Sequence, residues 1–469
     1  MAPRTPLLVV ALLAGCATAP VADPDASPFP TPFAADFLDT LDHDHRDASL
    51  HTLAAGLELE GFLDARDALG DEKARFSDIA FQPCAAPPEG GAAHRCFAAV
   101  ALNGRAGGTA GGFLLLDATD PTDLVVLSRY RSGSEDNWYV EFTPDGRHVL
   151  LTANGNTRAD SAAAALLEDL RTATITGPAR GVHLVDVTDP GAPRLAAFFP
   201  AAVRAINVAP WTARDGDAYV AVSVVEDRAP LPVPSPARAP APALRSHVAI
   251  LRLDPARPAL EEIARWSPEG VAGPTHFPHD LEAATHPLTD QDILYVAYWD
   301  AGAWLVDVTD PARPSTLGHV DPLGPTEHVH TVKAHPGLLA GRQYAALVPE
   351  TFAGEPSGTH AVLDVTDPTA PEVVARWTLP GDVTNAENLL FSPHEFTLHD
   401  GRMYASEYHA GTWILALPEL VPVATWQASA GDPARTDDWA VDVETAVWRD
   451  GYIYAVDMGT GVLVLRETP

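Results

Sequence analysis

Cysteine and methionine are scarce in this chain, three of each in 469 residues, and basic residues are outnumbered, 30 Lys and Arg against 63 Asp and Glu. Three cysteines exclude a disulfide-rich scaffold and a four-cysteine zinc site. A net charge of −33 with no Lys/Arg cluster excludes nucleic acid and anionic head groups as partners and suits a solvated surface outside the cell. No apolar run approaches the roughly 20 residues that a membrane-spanning helix needs. No useful helical period appears either, except in SAAAALLEDLRTAT, where Ala162 to Thr172 predict a helix inserted between strands. Familiar catalytic signatures are missing too: there is no GxSxG, P-loop, HExxH or glycine-rich dinucleotide fingerprint.

What the chain has is repetition. GVHLVDVTDPGAP from Gly181 returns as GAWLVDVTDPARP from Gly302, GGFLLLDATDPTD from Gly111 and GTHAVLDVTDPTAP from Gly358, with a worn copy, HVAILRLDPARP, from His247. GTWILALPEL from Gly411 and GVLVLRETP from Gly461 keep the glycine and the apolar strand and lose the turn, which makes seven copies. β-branched and large aliphatic residues suit a strand buried on both faces, and Asp-Pro ends its pairing. Two further strand-like segments precede each copy and one follows, as in HTVKAH from His330 and EVVARW from Glu372. Four strands per unit in roughly 50 to 70 residues predict an all-β, seven-bladed β-propeller of four-stranded antiparallel blades over residues 76–469. The chain stops after the third strand of its seventh unit, so LHTLAAGLELEGFL from Leu50, within an N-terminal segment 36–75, is expected to close the last blade. A monomer is expected.

The first sixteen residues, MAPRTPLLVVALLAGC, have a basic start and a short apolar run, the build of an export signal over 1–15. Their LAGC ending resembles the lipobox of bacterial lipoproteins, which implies lipidation of Cys16, a Pro/Ala-rich tether over 16–35 and, with Ala17 next, the outer membrane, facing the periplasm or the cell surface. Cys84 and Cys96 enclose PPEGGAAHR and in an oxidising compartment are expected to form a disulfide.

Candidate chemistry is positional. The first strand of each propeller blade lines the central channel and opens at one mouth. Aligned on the following hairpin, His330, His394 and Glu444 each stand seven residues before a turn glycine, and His279 opens the fourth unit similarly. Asp78, Asn137 and Asn207 complete an expected ring of polar residues at the mouth. Three imidazoles and a carboxylate on one axis suit copper, zinc or iron, with His276 and His328 as further ligands or orienting groups. His43, His45 and His51 form a second histidine cluster without periodicity. The aspartates of DVTDP (Asp186, Asp307, Asp364) are expected to be structural acceptors at their turns.

Through Leu184 to Pro190, Leu305 to Pro311 and Leu363 to Pro368, the chain is similar to the LVIVD-repeat family of bacterial exported and surface proteins. That resemblance implies a propeller and no particular activity. The HD, HT and HE strand openings at His279, His330 and His394 give a more distant similarity to the selenium-binding protein and methanethiol oxidase group, and imply metal held by channel histidines. Two functions follow as expectations: a lipid-anchored module binding a protein, glycan or small molecule on a propeller face, favoured because no catalytic set is complete, and alternatively a metal-dependent oxidoreductase or hydrolase centred on the channel mouth.

Overall fold

Each repeat becomes a blade because its apolar strand has a neighbour on both sides to pair with and a sheet on both faces to pack against. The computed structural model describes residues 53–70, 75–83, 96–103, 111–134, 136–154, 180–201, 204–225, 246–254, 257–273, 275–324, 327–380, 384–385, 390–427 and 442–468. Cys16, Cys84, the clustered His43, His45 and His51, the helix expected at 162–172 and the Pro-rich excursion after Ala229 lie outside them.

Seven antiparallel sheets follow one another along the chain. Blade one is β3 (Phe76–Phe81), β4 (Phe97–Leu102), β5 (Gly112–Asp117) and β6 (Val125–Arg131); blade two is β7 (Val140–Phe142), β8 (His148–Ala153), β9 (Gly181–Asp186) and β10 (Arg194–Pro200). Blade three is β11 (Arg204–Thr212), β12 (Ala218–Val225), β13 (His247–Asp254) and β14 (Ala259–Trp266); blade four is β15 (Leu281–Thr285), β16 (Asp292–Ala297), β17 (Ala303–Asp307) and β18 (Ser315–Val320). Blade five is β19 (His328–Ala334), β20 (Tyr344–Glu350), β21 (His360–Asp364) and β22 (Glu372–Trp377); blade six is β23 (Phe396–His399), β24 (Arg402–Ser406), β25 (Thr412–Ala416) and β26 (Val421–Gln427). Blade seven runs β27 (Val443–Arg449), β28 (Tyr452–Asp457) and β29 (Gly461–Glu467), and its outer strand is β2 (Leu57–Asp64), supplied by the N-terminal segment as its sequence predicts. The same segment does more than expected. Its first part, β1 (Leu53–Ala55), turns at Gly56 and pairs with β26, so blade six has five strands and the N-terminal segment bridges two blades. A short helix, α1 (Ala65–Leu69), leads on toward blade one.

Two recurring devices explain the repeat. The aspartate of DVTDP accepts a hydrogen bond from the backbone N–H two residues on, at Asp186 (2.9 Å), Asp307 (2.9 Å) and Asp364 (2.9 Å), which sets the turn to the outer strand. The repeat glycine is obligatory where the third strand meets the fourth: at Gly181 (φ 143°) and Gly461 (φ 145°) a Cβ would stand 1.9 Å from the Phe199 carbonyl and 2.0 Å from that of Leu63. Apolar side chains fill the spaces between neighbouring blades. Val456 and Val464 pack against Phe76 and Leu114 where blade seven meets blade one, so the ring closes through a core like those between the other blades.

Candidate channel-mouth metal site

The inner strands carry a feature their sequence does not announce. Register shifts fall between Phe76 and Ile79, Ala205 and Val208, Val329 and Thr331, and Val443 and Thr445, so Asp78, Asn207, His330 and Glu444 are all bulge residues. His279 and Asp280 likewise share Ala297 across the sheet (2.7 and 3.0 Å), and His394 and Glu395 share Ser406 (3.1 and 2.9 Å). An extra residue in a strand re-aims its side chain and lets two consecutive side chains face the channel instead of alternating.

This brings the three histidines together as a row. The ring centroids of His279 and His330 are 4.0 Å apart, and those of His330 and His394 also 4.0 Å. They do not converge on one point with Glu444, as expected from the alignment. Two sets of ligand atoms lie within 4.8 Å of one another, His279 with His330 and Glu350, and His330 with His394 and Glu395, and His330 belongs to both. Glu444 stands behind the row: its carbonyl lies 2.7 Å from His394 Nδ1 and its carboxyl oxygen 3.4 Å. Burial, reinforced by Asp442 and Glu350, pushes the Glu444 carboxyl well above its usual range, and Glu444 belongs to neither ligand set.

The carboxylate that replaces it, Glu350, ends the second strand of blade five, and its Oε1 accepts a 2.7 Å hydrogen bond from the Tyr408 hydroxyl. Antiparallel pairing returns the end of a second strand to the mouth where the first strand opens, and Glu350 lies opposite His328 in register. That topology is the signal that could have found it. Glu395 is less available, because Thr331 Oγ1 (3.1 Å) and Lys333 Nζ (2.8 Å) already donate to its two oxygens.

His279 Nδ1 and His330 Nε2 are buried with no hydrogen-bond partner among the described residues. Burial lowers both imidazoles well below the ordinary histidine range, assisted by Arg204 at His279 and by the neighbouring imidazoles at His330. Both are therefore neutral at physiological pH and present lone pairs. Leaving such a buried group unsatisfied costs about 1–3 kcal/mol, a cost that a coordinated ion removes. His330 Nδ1 is fixed by Thr331 Oγ1 at 2.8 Å, which leaves Nε2 to point elsewhere.

Aromatic rings wall the row. Trp299 stacks on His279 (4.9 Å) and on His328 (4.9 Å, rings 5° from parallel), and Tyr408 lies 5.0 Å from His394. Both wall residues have left-handed backbones, φ 30° at Trp299 and 38° at Tyr408. Each occupies the equivalent position after the second strand and bridges to the next blade, Trp299 to Val329 and Tyr408 to Val443. Strain of this kind persists where the surroundings hold it and gathers at functional sites.

Other sequence candidates separate from the row. His328 contacts Asp300 and serves the Trp299 wall. His276 Nδ1 is buried without a partner, and His276 belongs to neither ligand set. Asn137 is committed elsewhere: its Oδ1 accepts from Ser132 Oγ, just after the last strand of blade one, and its Nδ2 donates to the Thr152 carbonyl of blade two, both at 2.8 Å. Asp78 and Asn207 line a deeper part of the channel. The expected single ring is thus two levels, because bulges displace the inner strands by different amounts. Cys96 is placed, its N–H donating to Thr119 Oγ1 (3.1 Å), whereas the expected Cys84–Cys96 pair involves a residue outside the described set.

No family model matches this chain, and no curated protein is similar to it. Among solved structures, Pseudomonas aeruginosa periplasmic gluconolactonase, PpgL, is similar at a TM-score of 0.47 and 15% identity, over 75% of this chain and 88% of that one. The chain is a seven-bladed β-propeller by its own sheet order, with a row of buried histidines at one end of its channel.

Proposed function

We propose that the channel mouth holds a transition-metal ion on His279, His330 and Glu350, and that the protein is a metal-dependent oxidoreductase or hydrolase of the bacterial envelope. One observation carries this reading: His279, His330 and Glu350 each bring a ligand atom within 4.8 Å of the others, and the two imidazoles are buried, neutral and each carry a nitrogen without a partner among the described residues. Two histidines and one carboxylate are the donor set of non-haem iron oxygenases and of several zinc hydrolases, in which open coordination positions are left for water and substrate. A bound ion would supply Lewis acidity there or lower the pKa of a bound water. The chain's own contribution is to hold the donors. Tyr408 fixes Glu350, Thr331 fixes His330, and the Glu444 backbone carbonyl orients His394, which stands beside His330 as a third nitrogen donor.

With no catalytic set complete, the sequence favours a module that binds partners on a propeller face, and such a module has no use for buried imidazoles without partners. The geometry therefore moves the balance to the metal centre. Placement in the envelope, lipid-anchored to the outer membrane through Cys16, is supported by the LAGC ending and the Pro/Ala tether. Kinship with LVIVD-repeat propellers is supported by the LVDVTDP strands.

Elemental analysis by mass spectrometry tests the reading, on protein that starts after Cys16 and is purified without chelator or affinity metal. The parent should carry about one equivalent of copper, zinc or iron. The His330→Ala variant, which damages both ligand sets, should lose it while keeping the parent's circular dichroism. A folded, metal-free parent, or a variant with the parent's metal content, would sink the proposal.

A further inference from the structure

Beyond the histidine row the channel widens into a cavity of about 640 Å³ whose lining changes character. Asp78, Glu141, Asp280, Glu282, Asp292 and Glu395 contribute six carboxyl groups from blades one, two, four and six, and Lys333 is the single cation among the lining residues. Lys333 is already committed to Glu395 Oε2 at 2.8 Å, and Glu395 and Asp280 keep its ammonium charged against the effect of burial.

Charge alone does not make a site, but the unpartnered atoms do point to a ligand. Asp280 is 1% exposed and its Oδ2 meets no hydrogen-bond partner; Asp292 Oδ2 and Asn207 Oδ1, in the same lining, are also buried and unpartnered. All three are acceptors. Tyr139 presents a buried, unpartnered hydroxyl beside them. A cavity whose unpartnered atoms are mostly acceptors, and whose crowded carboxyls an ammonium neighbour would allow to ionise, calls for a ligand rich in N–H groups and positive charge.

The ligand is organic and extended. No three of these carboxylates bring oxygens within 4.8 Å of one another, since the two ligand sets among the described residues both lie in the histidine row, so a bare ion would lack a cage. The volume falls in the range of small-molecule sites, about 300–1,000 Å³. Trp211, Phe81 and Phe142 add aromatic surface to the lining, which suits the methylene spacers and the cationic heads of an alkylammonium chain. We infer that the acid-lined half of the channel binds an organic polycation, a flexible ligand with two or more ammonium groups.

Spermidine, titrated calorimetrically into the full-length protein at low ionic strength, is the probe. The variants avoid Asp280 because it follows His279; Glu141→Gln with Glu282→Gln removes two carboxyls that an ammonium could ionise while keeping acceptors, including the one Glu282 offers to Ala334 N–H. Saturable binding should weaken at least tenfold in that double variant. Lys333→Met, which removes the resident ammonium, should tighten it, and a gain of affinity cannot be produced by misfolding. Three results would overturn the inference: no saturable binding to the parent, equal affinity in parent and double variant, or displacement of spermidine by equimolar calcium, which would mark an inorganic cation site. Metal content at the histidine row is a separate readout, so failure here leaves that reading standing, and the reverse.

Discussion

The two ends of the channel are made by the same inner strands and are chemically opposite. At the histidine end burial pushes imidazoles down into their neutral form. At the acid end burial pushes carboxyls up, Asp78 to about 7, Glu141 to about 8 and Glu282 to about 7. Glu141 is open to the lumen yet enclosed by the ring of blades, which is why its carboxyl responds as a buried one does. One cause, the loss of water around a charge, therefore has two results. It prepares lone pairs for a metal at one end. At the other it retains protons that a cation must displace. The difference teaches that a propeller channel can sort ligands by donor type along its length, nitrogen for softer ions and oxygen for ammonium groups, with no change of scaffold.

The strongest way to break this comparison is to remove one donor and watch both ends. Glu350→Ala should weaken metal binding by more than about 100-fold, beyond what loss of an outer partner costs, while spermidine affinity stays at the parent's value. Competition with a chromophoric chelator measures it. If the variant binds metal like the parent, the ion belongs to the other set, with His394 and Glu395, and the acid end has a carboxylate fewer to offer. A smaller effect is expected at Glu444, whose backbone carbonyl, 2.7 Å from His394 Nδ1, survives any side-chain change. Glu444→Ala should therefore leave metal affinity within about threefold of the parent's, by the same chelator competition. A loss of tenfold or more would mean that the carboxyl oxygen 3.4 Å from His394 Nδ1 also holds the donors in place.

The blades were legible because a buried strand with a fixed stop repeats in letters: Leu184 to Pro190 and Leu305 to Pro311 are nearly one text. The closing strand β2 was legible as the apolar segment LHTLAAGLELEGFL that stands just before the first unit. The row of His279, His330 and His394 was legible from hairpin alignment. Its partners were not. Glu350 sits on a second strand, and its approach to the mouth depends on pairing across blade five. Glu395 and Asp280 stood in plain view in the HE and HD openings. Strict alternation would turn each away from its histidine, and only the bulge turns both toward the channel. Asn137 shows the converse, since its spacing matched the ring while its amide was spent joining the end of blade one to blade two.

The gentlest test uses pH and stability. Carboxyls whose folded pKa lies above the unfolded value stabilise the fold below about pH 4 and lose that contribution as pH rises through the folded value. For Asp78, Glu282 and Glu141 the loss runs from their ordinary values of 3.8 and 4.5 up to about 7 and 8. The lowered imidazoles have the opposite sign: their contribution grows as pH rises and is complete once the unfolded histidines are neutral, just above their ordinary value of 6.5. The two trends oppose each other at acid pH, and only the carboxyls act between about pH 7 and 8.5. In that window the Tm should fall, by an amount on the order of 2 °C per titrating group. Glu141→Gln, uncharged throughout, should fall less, and saturating spermidine should flatten the parent's curve because an ammonium neighbour lets the carboxyls ionise in place. A Tm that is level or rising across the window in the parent would mean that the acid end is already ionised and solvated, and that the two ends differ in residue type without differing in the work that burial does on them.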